Sequence, residues 1–164
     1  MASPSRMGSV AFVGGGMMAE AMVKGFLSSG VRAREQVHVF DPSAARRKVM
    51  TEKYGVDCPE DVGACVRGKP VVVVAVKPQY VASAMADARA HLSADALVVS
   101  IAAGTSLSTL RDVCPEARGI ARVMPNTPAS SARARAPSAS APAARGRTRR
   151  SCARSWAPSA RLSR

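Results

Sequence analysis

The stretch Val10-Ala11-Phe12-Val13-Gly14-Gly15-Gly16-Met17-Met18-Ala19 joins a short apolar run to a run of helix formers through three glycines. Gly14, Gly16 and Ala19 hold the marked positions of a G-x-G-x-x-A pattern. A strand that turns tightly into a helix needs each of them for a different reason. Gly14 can enter backbone conformations closed to residues with a side chain. Gly16 has nothing to block a pyrophosphate approaching the backbone, and Ala19 is small enough for the helix to pack on the strand. The helix then opens with unpaired N–H donors and a partial positive charge, so the chemistry on offer is the holding of a dinucleotide's phosphates. Glycine-rich turns also occur without a ligand. Here the context is the one the binding motif requires: a strand before, an amphipathic helix after, and Asp41 at the end of a second strand.

Asp41 falls where a Rossmann-type fold places the acid that takes the adenosine ribose hydroxyls. The structural alternative is an N-cap for a helix over 44–54, supplied by Asp41 or by Ser43. Arg46 and Arg47 leave the cofactor open. A carboxylate at Asp41 favours NAD, whereas an arginine one turn into the helix could hold the 2′-phosphate of NADP; for Arg47 a solvated basic helix face is the alternative.

The elements that must position these groups read from periodicity. A first strand covers 9–13. Met18, Met22, Val23, Phe26 and Leu27 then recur at helical spacing, as core fillers, up to Ser28-Ser29 and a capping Gly30. A strand over 36–40, the helix over 44–54, a short strand around Val56-Asp57-Cys58 and a short helix from Pro59 follow. The run 70–76 has no alternation, as expected of a strand buried on both faces of a parallel sheet. Val81, Met85, Ala88 and Leu92 mark the next helix, and a buried strand covers 96–101. Ser106 caps a helix with Leu107, Leu110 and Val113, closed by Pro115, and a last strand spans 119–123. Strands alternating with helices at this spacing predict an α/β fold, a doubly wound parallel sheet with right-handed crossovers. Its ligands sit beyond the carboxyl ends of the strands. That rim gathers 14–18, Asp41, Lys77-Pro78, 102–104 and Asn126.

Length and charge bound the rest. A chain of 164 residues is enough for one domain with a core of its own. Of the formal charge of +13, nine arginines fall in 129–164 with no lysine and no acid, which leaves +4 for residues 1–128. The basic character thus belongs to the C-terminal stretch, whose Ser, Ala, Arg, Pro and Gly composition predicts a disordered tail. Cys58, Cys65, Cys114 and Cys152 form no C-x-x-C pair and have no histidine at metal spacing, so reduced thiols and no metal are expected. His38 and His91 read as structural. No apolar run has the length of a membrane span, and the few residues before the first strand are too short for a signal peptide, so the expected location is cytoplasmic. The division is an extension over 1–8, a dinucleotide-binding domain over 9–128 and the tail over 129–164.

Four segments resemble one family, the pyrroline-5-carboxylate reductases: 12–19, Ala75-Val76-Lys77-Pro78-Gln79, Ser100-Ile101-Ala102-Ala103-Gly104 and Arg122-Val123-Met124-Pro125-Asn126-Thr127-Pro128. The resemblance covers about residues 8–129. It implies an oxidoreductase of proline biosynthesis that transfers a hydride from NADPH or NADH to the C=N carbon of 1-pyrroline-5-carboxylate. It further implies that Gly14, Gly15, Gly16, Met17 and Met18 hold the pyrophosphate and Asp41 meets the ribose or its phosphate. Val76, Lys77 and Ala103 would line the nicotinamide side, with Asn126 near the reacting ring, and Ala75 and Pro78 would also bind the cofactor. No residue is assigned as catalytic. Lys77 as an acid competes with a backbone contact that shapes the pocket. Family members continue into a helical domain that makes the homo-oligomer and completes the substrate site, and 130–164 do not resemble it. Loss of one base from GC-rich codons for Ala-Leu-Val-Gly-Glu-Gly-Ala would read Ala-Ser-Ser-Ala-Arg-Ala-Arg, the residues at 129–135, so a shifted reading frame is expected there. Competing readings are a non-catalytic NAD(P)-binding domain and a β-hydroxyacid dehydrogenase-like oxidoreductase. Attraction of nucleic acid by the arginines alone would be nonspecific, since stacking aromatics are nearly absent.

Overall fold

Parallel neighbours cannot be joined by tight turns, so a chain of short β-branched runs must cross over through helices that bury their apolar stripes on the sheet. The computed structural model describes residues 8–124 and shows this arrangement. The expectations placed on Asn126, Cys152 and the stretch 129–164 lie outside the described residues. The strands are β1 (Val10–Val13), β2 (Val37–Phe40), β3 (Val71–Val74), β4 (Leu97–Ser100) and β5 (Gly119–Arg122). They form one sheet in the order β2-β1-β3-β4-β5, parallel at every pairing. Between them run α1 (Met17–Ser28), α2 (Ala44–Tyr54), α3 (Val62–Val66), α4 (Val81–Arg89) and α5 (Leu107–Val113).

Strand alternation divides the core in two. Ala11, Val13, Val72, Val74 and Val98 face Cys65 and Val66 of α3, Met85 and Ala88 of α4 and Leu110 of α5. Val10, Phe12, Val37, Val39 and Val73 face the other way, onto Ala19 and Val23 of α1 and Met50 of α2. Each fully buried Val, Leu, Met or Phe contributes about 1.5–3 kcal/mol relative to exposure. The Rossmann-type sheet with two helical layers is therefore the predicted fold class. No helix of the described residues is long and apolar enough to cross a membrane.

The helix ends follow local chemistry. Ser43 accepts from the Arg46 N–H at 3.4 Å, Asp61 from Ala64 at 2.7 Å and Ser106 from Thr109 at 3.0 Å. Gly55 ends α2 in the left-handed region at φ +66, where a side chain is disfavoured. The expected strand at 56–58 is only a single parallel bridge between His38 and Asp57. Gly55 has just closed a helix and Pro59 offers no N–H, which leaves no length for a ladder. The short helix begins at Val62 rather than Pro59, because Asp61 supplies its cap. Leu92 lies beyond α4 but still packs against the core.

Candidate functional site

β1 ends between β2 and β3, the point from which the chain crosses first to one side of the sheet and then to the other. The glycine turn sits there. Gly14 donates its N–H to the Phe40 carbonyl at 2.8 Å, and Ala75 donates to Val13 at 2.8 Å, which fixes the ends of all three strands together. Gly14 has φ +103, and a Cβ added to it would lie 2.9 Å from the Ala75 carbonyl carbon and the Val76 nitrogen. Gly16 is the N-cap of α1 with φ −65, makes no side-chain cap, and has nothing within 4 Å of where a Cβ would stand. The N–H donors of the first turn of α1 therefore open onto unobstructed space, the arrangement an anion needs.

Asp41 is tied into this turn. Its Oδ2 accepts from the Gly15 N–H and its Oδ1 from the Ser43 N–H, each at 2.9 Å. The cap of α2 is Ser43, so the carboxylate of Asp41 serves the glycine turn rather than the helix. A cavity of about 450 Å³ lies over the strand ends and is lined by Gly14, Gly16, Asp41, Ala75, Val76 and Lys77 of the residues expected from the sequence. Gly15 is buried beneath it, Met17 is 88% exposed, and Met18 packs into the core against α1's own face of the sheet. Pro78 opens a 3-10 turn, Pro78–Tyr80, and Ala103 lies exposed past β4; neither lines the cavity.

Sequence reading missed Phe40, Pro42, Tyr80, Ser83, Ala84 and Asp87, which complete the lining. The last four carried a signal: Ser83, Ala84 and Asp87 recur at helical spacing on α4 beside the stripe of Val81, Met85 and Ala88, and Tyr80 stands one turn before them. It also missed a network on α1. Glu20 accepts from Arg46, from Lys53 at 2.8 Å and from Tyr54 at 2.7 Å, and Arg46 donates its Nε to the Gly15 carbonyl. These donors, Lys53 first and then Arg46 and Tyr54, hold the Glu20 carboxyl well below the usual carboxylate range, at about 2. A depressed carboxyl contributes stability that is present above about 4.5 and is lost as pH falls toward about 2. Wild type is thus expected to melt higher than Glu20→Gln at neutral pH, with the gap closing between pH 4.5 and 2 in thermal melts. A gap that does not change with pH would show that the carboxylate's charge is not what α2 reads.

Cys58, Cys65 and Cys114 are free thiols. Burial pushes Cys65 up to about 12 and Cys114 to about 11, which makes both poor nucleophiles at neutral pH.

A parallel sheet wound on both faces, with an uncapped helix N-terminus and an acid at the switch point, defines the class of Rossmann-type nucleotide-binding domains. The chain belongs to the family described as NADP oxidoreductase coenzyme F420-dependent, whose model matches residues 9–104. Its resemblance to pyrroline-5-carboxylate reductases is borne out. It is 43% identical over 125 residues to the pyrroline-5-carboxylate reductase of Pasteurella multocida, which covers 74% of this chain and 45% of that one. Against the reductase of Arabidopsis thaliana it is 35% identical over 127 residues, 77% of this chain and 46% of the relative. Among solved structures, the pyrroline-5-carboxylate reductase of Coxiella burnetii matches with a TM-score of 0.70 at 30% identity, over 75% of this chain and 46% of that chain. The Plasmodium falciparum pyrroline carboxylate reductase with NADP bound matches in fold, with a TM-score of 0.64 at 23% identity over 77% of this chain and 45% of that one. The chain spans about half the length of the curated relatives it matches.

Proposed function

We infer that the described domain is the cofactor-binding half of a pyrroline-5-carboxylate reductase, an oxidoreductase of proline synthesis. The observation that carries this is the open space over Gly16 at the uncapped start of α1, beside the Asp41 carboxylate, in a chain whose relatives bear that name. These residues fit a dinucleotide: backbone N–H donors for its phosphates, an acid for a ribose and an apolar wall at Ala75 and Val76. When bound, NADPH or NADH supplies the hydride that reduces the C=N carbon of 1-pyrroline-5-carboxylate. The protein's part is to hold the reacting faces together and exclude water. Lys77, Pro78 and Ala103, with Asn126, are proposed to shape the nicotinamide end. The imine substrate, homo-oligomer formation and a cytoplasmic location come with the same reading, which assigns neither membrane nor specific nucleic acid as a partner.

The test is a titration of the purified chain with NADH and NADPH, followed by addition of the imine. Binding of a dinucleotide is expected. Binding without imine-dependent oxidation would favour the non-catalytic domain for this polypeptide, and oxidation driven by a hydroxyacid alone would favour a β-hydroxyacid dehydrogenase. The shifted frame after Pro128 has its own test in genomic and transcript sequence across the codons for 128–135. An unbroken frame in both would overturn it.

A further inference from the structure

Both arginines that follow Asp41 are already held. Arg47 donates Nη1 to the carbonyls of Asp41 (2.9 Å) and Pro42 (3.2 Å), and its Nη2 meets Glu60 at 3.2 Å. Arg46 donates Nε to the Gly15 carbonyl and Nη2 to Glu20. Neither arginine lines the cavity, whereas Asp41 does. The other charged side chains in the lining are Asp87 and Lys77. Lys77 follows β3, two strand spacings or about 10 Å from β2, so of the charged residues that line the cavity Asp41 is the one at the β2 end.

We propose that this site selects a dinucleotide whose adenosine ribose carries free hydroxyls, NADH over NADPH, and that Glu20 enforces the choice by keeping Arg46 beneath the glycine turn. The inference rests on the dinucleotide reading above. The two N–H groups that Asp41 accepts leave acceptor capacity on its oxygens for ribose hydroxyls, since a carboxylate offers about four acceptor sites. A 2′-phosphate in the same place would set two anions against each other in a partly enclosed space, and like charges juxtaposed at an interface oppose binding. Arg46 could neutralise that phosphate only by leaving Glu20. Glu20 in turn is the shared acceptor of Lys53 and Tyr54, which anchor it from the far end of α2. Glu20 is a positioning residue, not a catalytic one.

The experiment measures dissociation constants of the full chain for NADH and for NADPH at neutral pH by nicotinamide fluorescence, with thermal melts as a check on folding. NADH is expected to bind about tenfold tighter than NADPH. Glu20→Gln is expected to tighten NADPH severalfold while leaving NADH nearly unchanged, and adding Arg46→Met to that variant is expected to remove the gain. A merely structural Glu20 would move both constants together, and that result would overturn its role in the choice. Should Glu20→Gln fail to fold, Asp41→Asn tests the same repulsion and is expected to narrow the ratio. NADPH binding as tightly as NADH in wild type would overturn the selectivity while leaving the dinucleotide reading standing. Binding of neither would overturn both.

Discussion

Gly16→Val is expected to lower dinucleotide affinity by about a hundredfold while costing the fold only about 1 kcal/mol. At φ −65 and ψ −177 the Gly16 backbone is in the extended region that valine adopts readily. Its Cβ would meet nothing within 4 Å, so no strain and no clash arise in the protein itself. The small stability cost is the loss of a favourable N-cap residue. The affinity cost is larger, because the side chain would stand over the first-turn donors and hold a phosphate away from them. Each charge-assisted hydrogen bond so lost is worth about 1.5–3 kcal/mol. Gly14→Ala is the contrast. At φ +103 even a methyl is strained, and it would press on the backbone of Ala75 and Val76 at 2.9 Å. That variant should lose folding and binding together. The pair is read by thermal melts and cofactor titration on the same samples. A Gly16→Val protein that binds as wild type would remove the phosphate from this turn.

The elements that depend on neighbours in sequence were legible. The helix expected over 44–54 is found at Ala44–Tyr54, because Ser43 caps it and Gly55 closes it. The glycine turn, Asp41 and the Lys77 region fall on one rim because a parallel sheet leaves its strand ends on one side. What was not legible is set by partners far along the chain. Whether Asp41 caps α2 or serves the glycine turn depends on Gly15, 26 residues away. Glu20 carries no motif of its own; its role appears only when α2 lies across α1 and brings Arg46, Lys53 and Tyr54 to one carboxylate. The strand expected at 56–58 shows the same limit from the other side. Its residue types suit a strand and Val56 is buried, but the Gly55 and Pro59 boundaries leave room for only one bridge.

Phe12→Ala is expected to lower the unfolding temperature by roughly 15–30 °C, the largest effect of any single core truncation on β1. Phe12 is fully buried in the central region of the sheet, with β2 on one side of its strand and β3 on the other. Its ring lies 6.1 Å from that of Phe26 at an interplanar angle of 49°, locking α1 onto the strand that precedes it. Truncation removes that contact and leaves a cavity, at a cost of about 3–5 kcal/mol against a total of about 5–15 for a domain. The side chain packs with the α1 and α2 layer and does not line the cavity over the strand ends. The folded fraction of Phe12→Ala should therefore bind dinucleotide with the wild-type dissociation constant but with reduced amplitude. Saturating cofactor should raise its melting temperature by mass action. Gly16→Val predicts the reverse, full amplitude at altered affinity. An altered dissociation constant in Phe12→Ala at a temperature where it is fully folded would mean that packing beneath β1, and not the open backbone of the turn alone, sets how the phosphates are held.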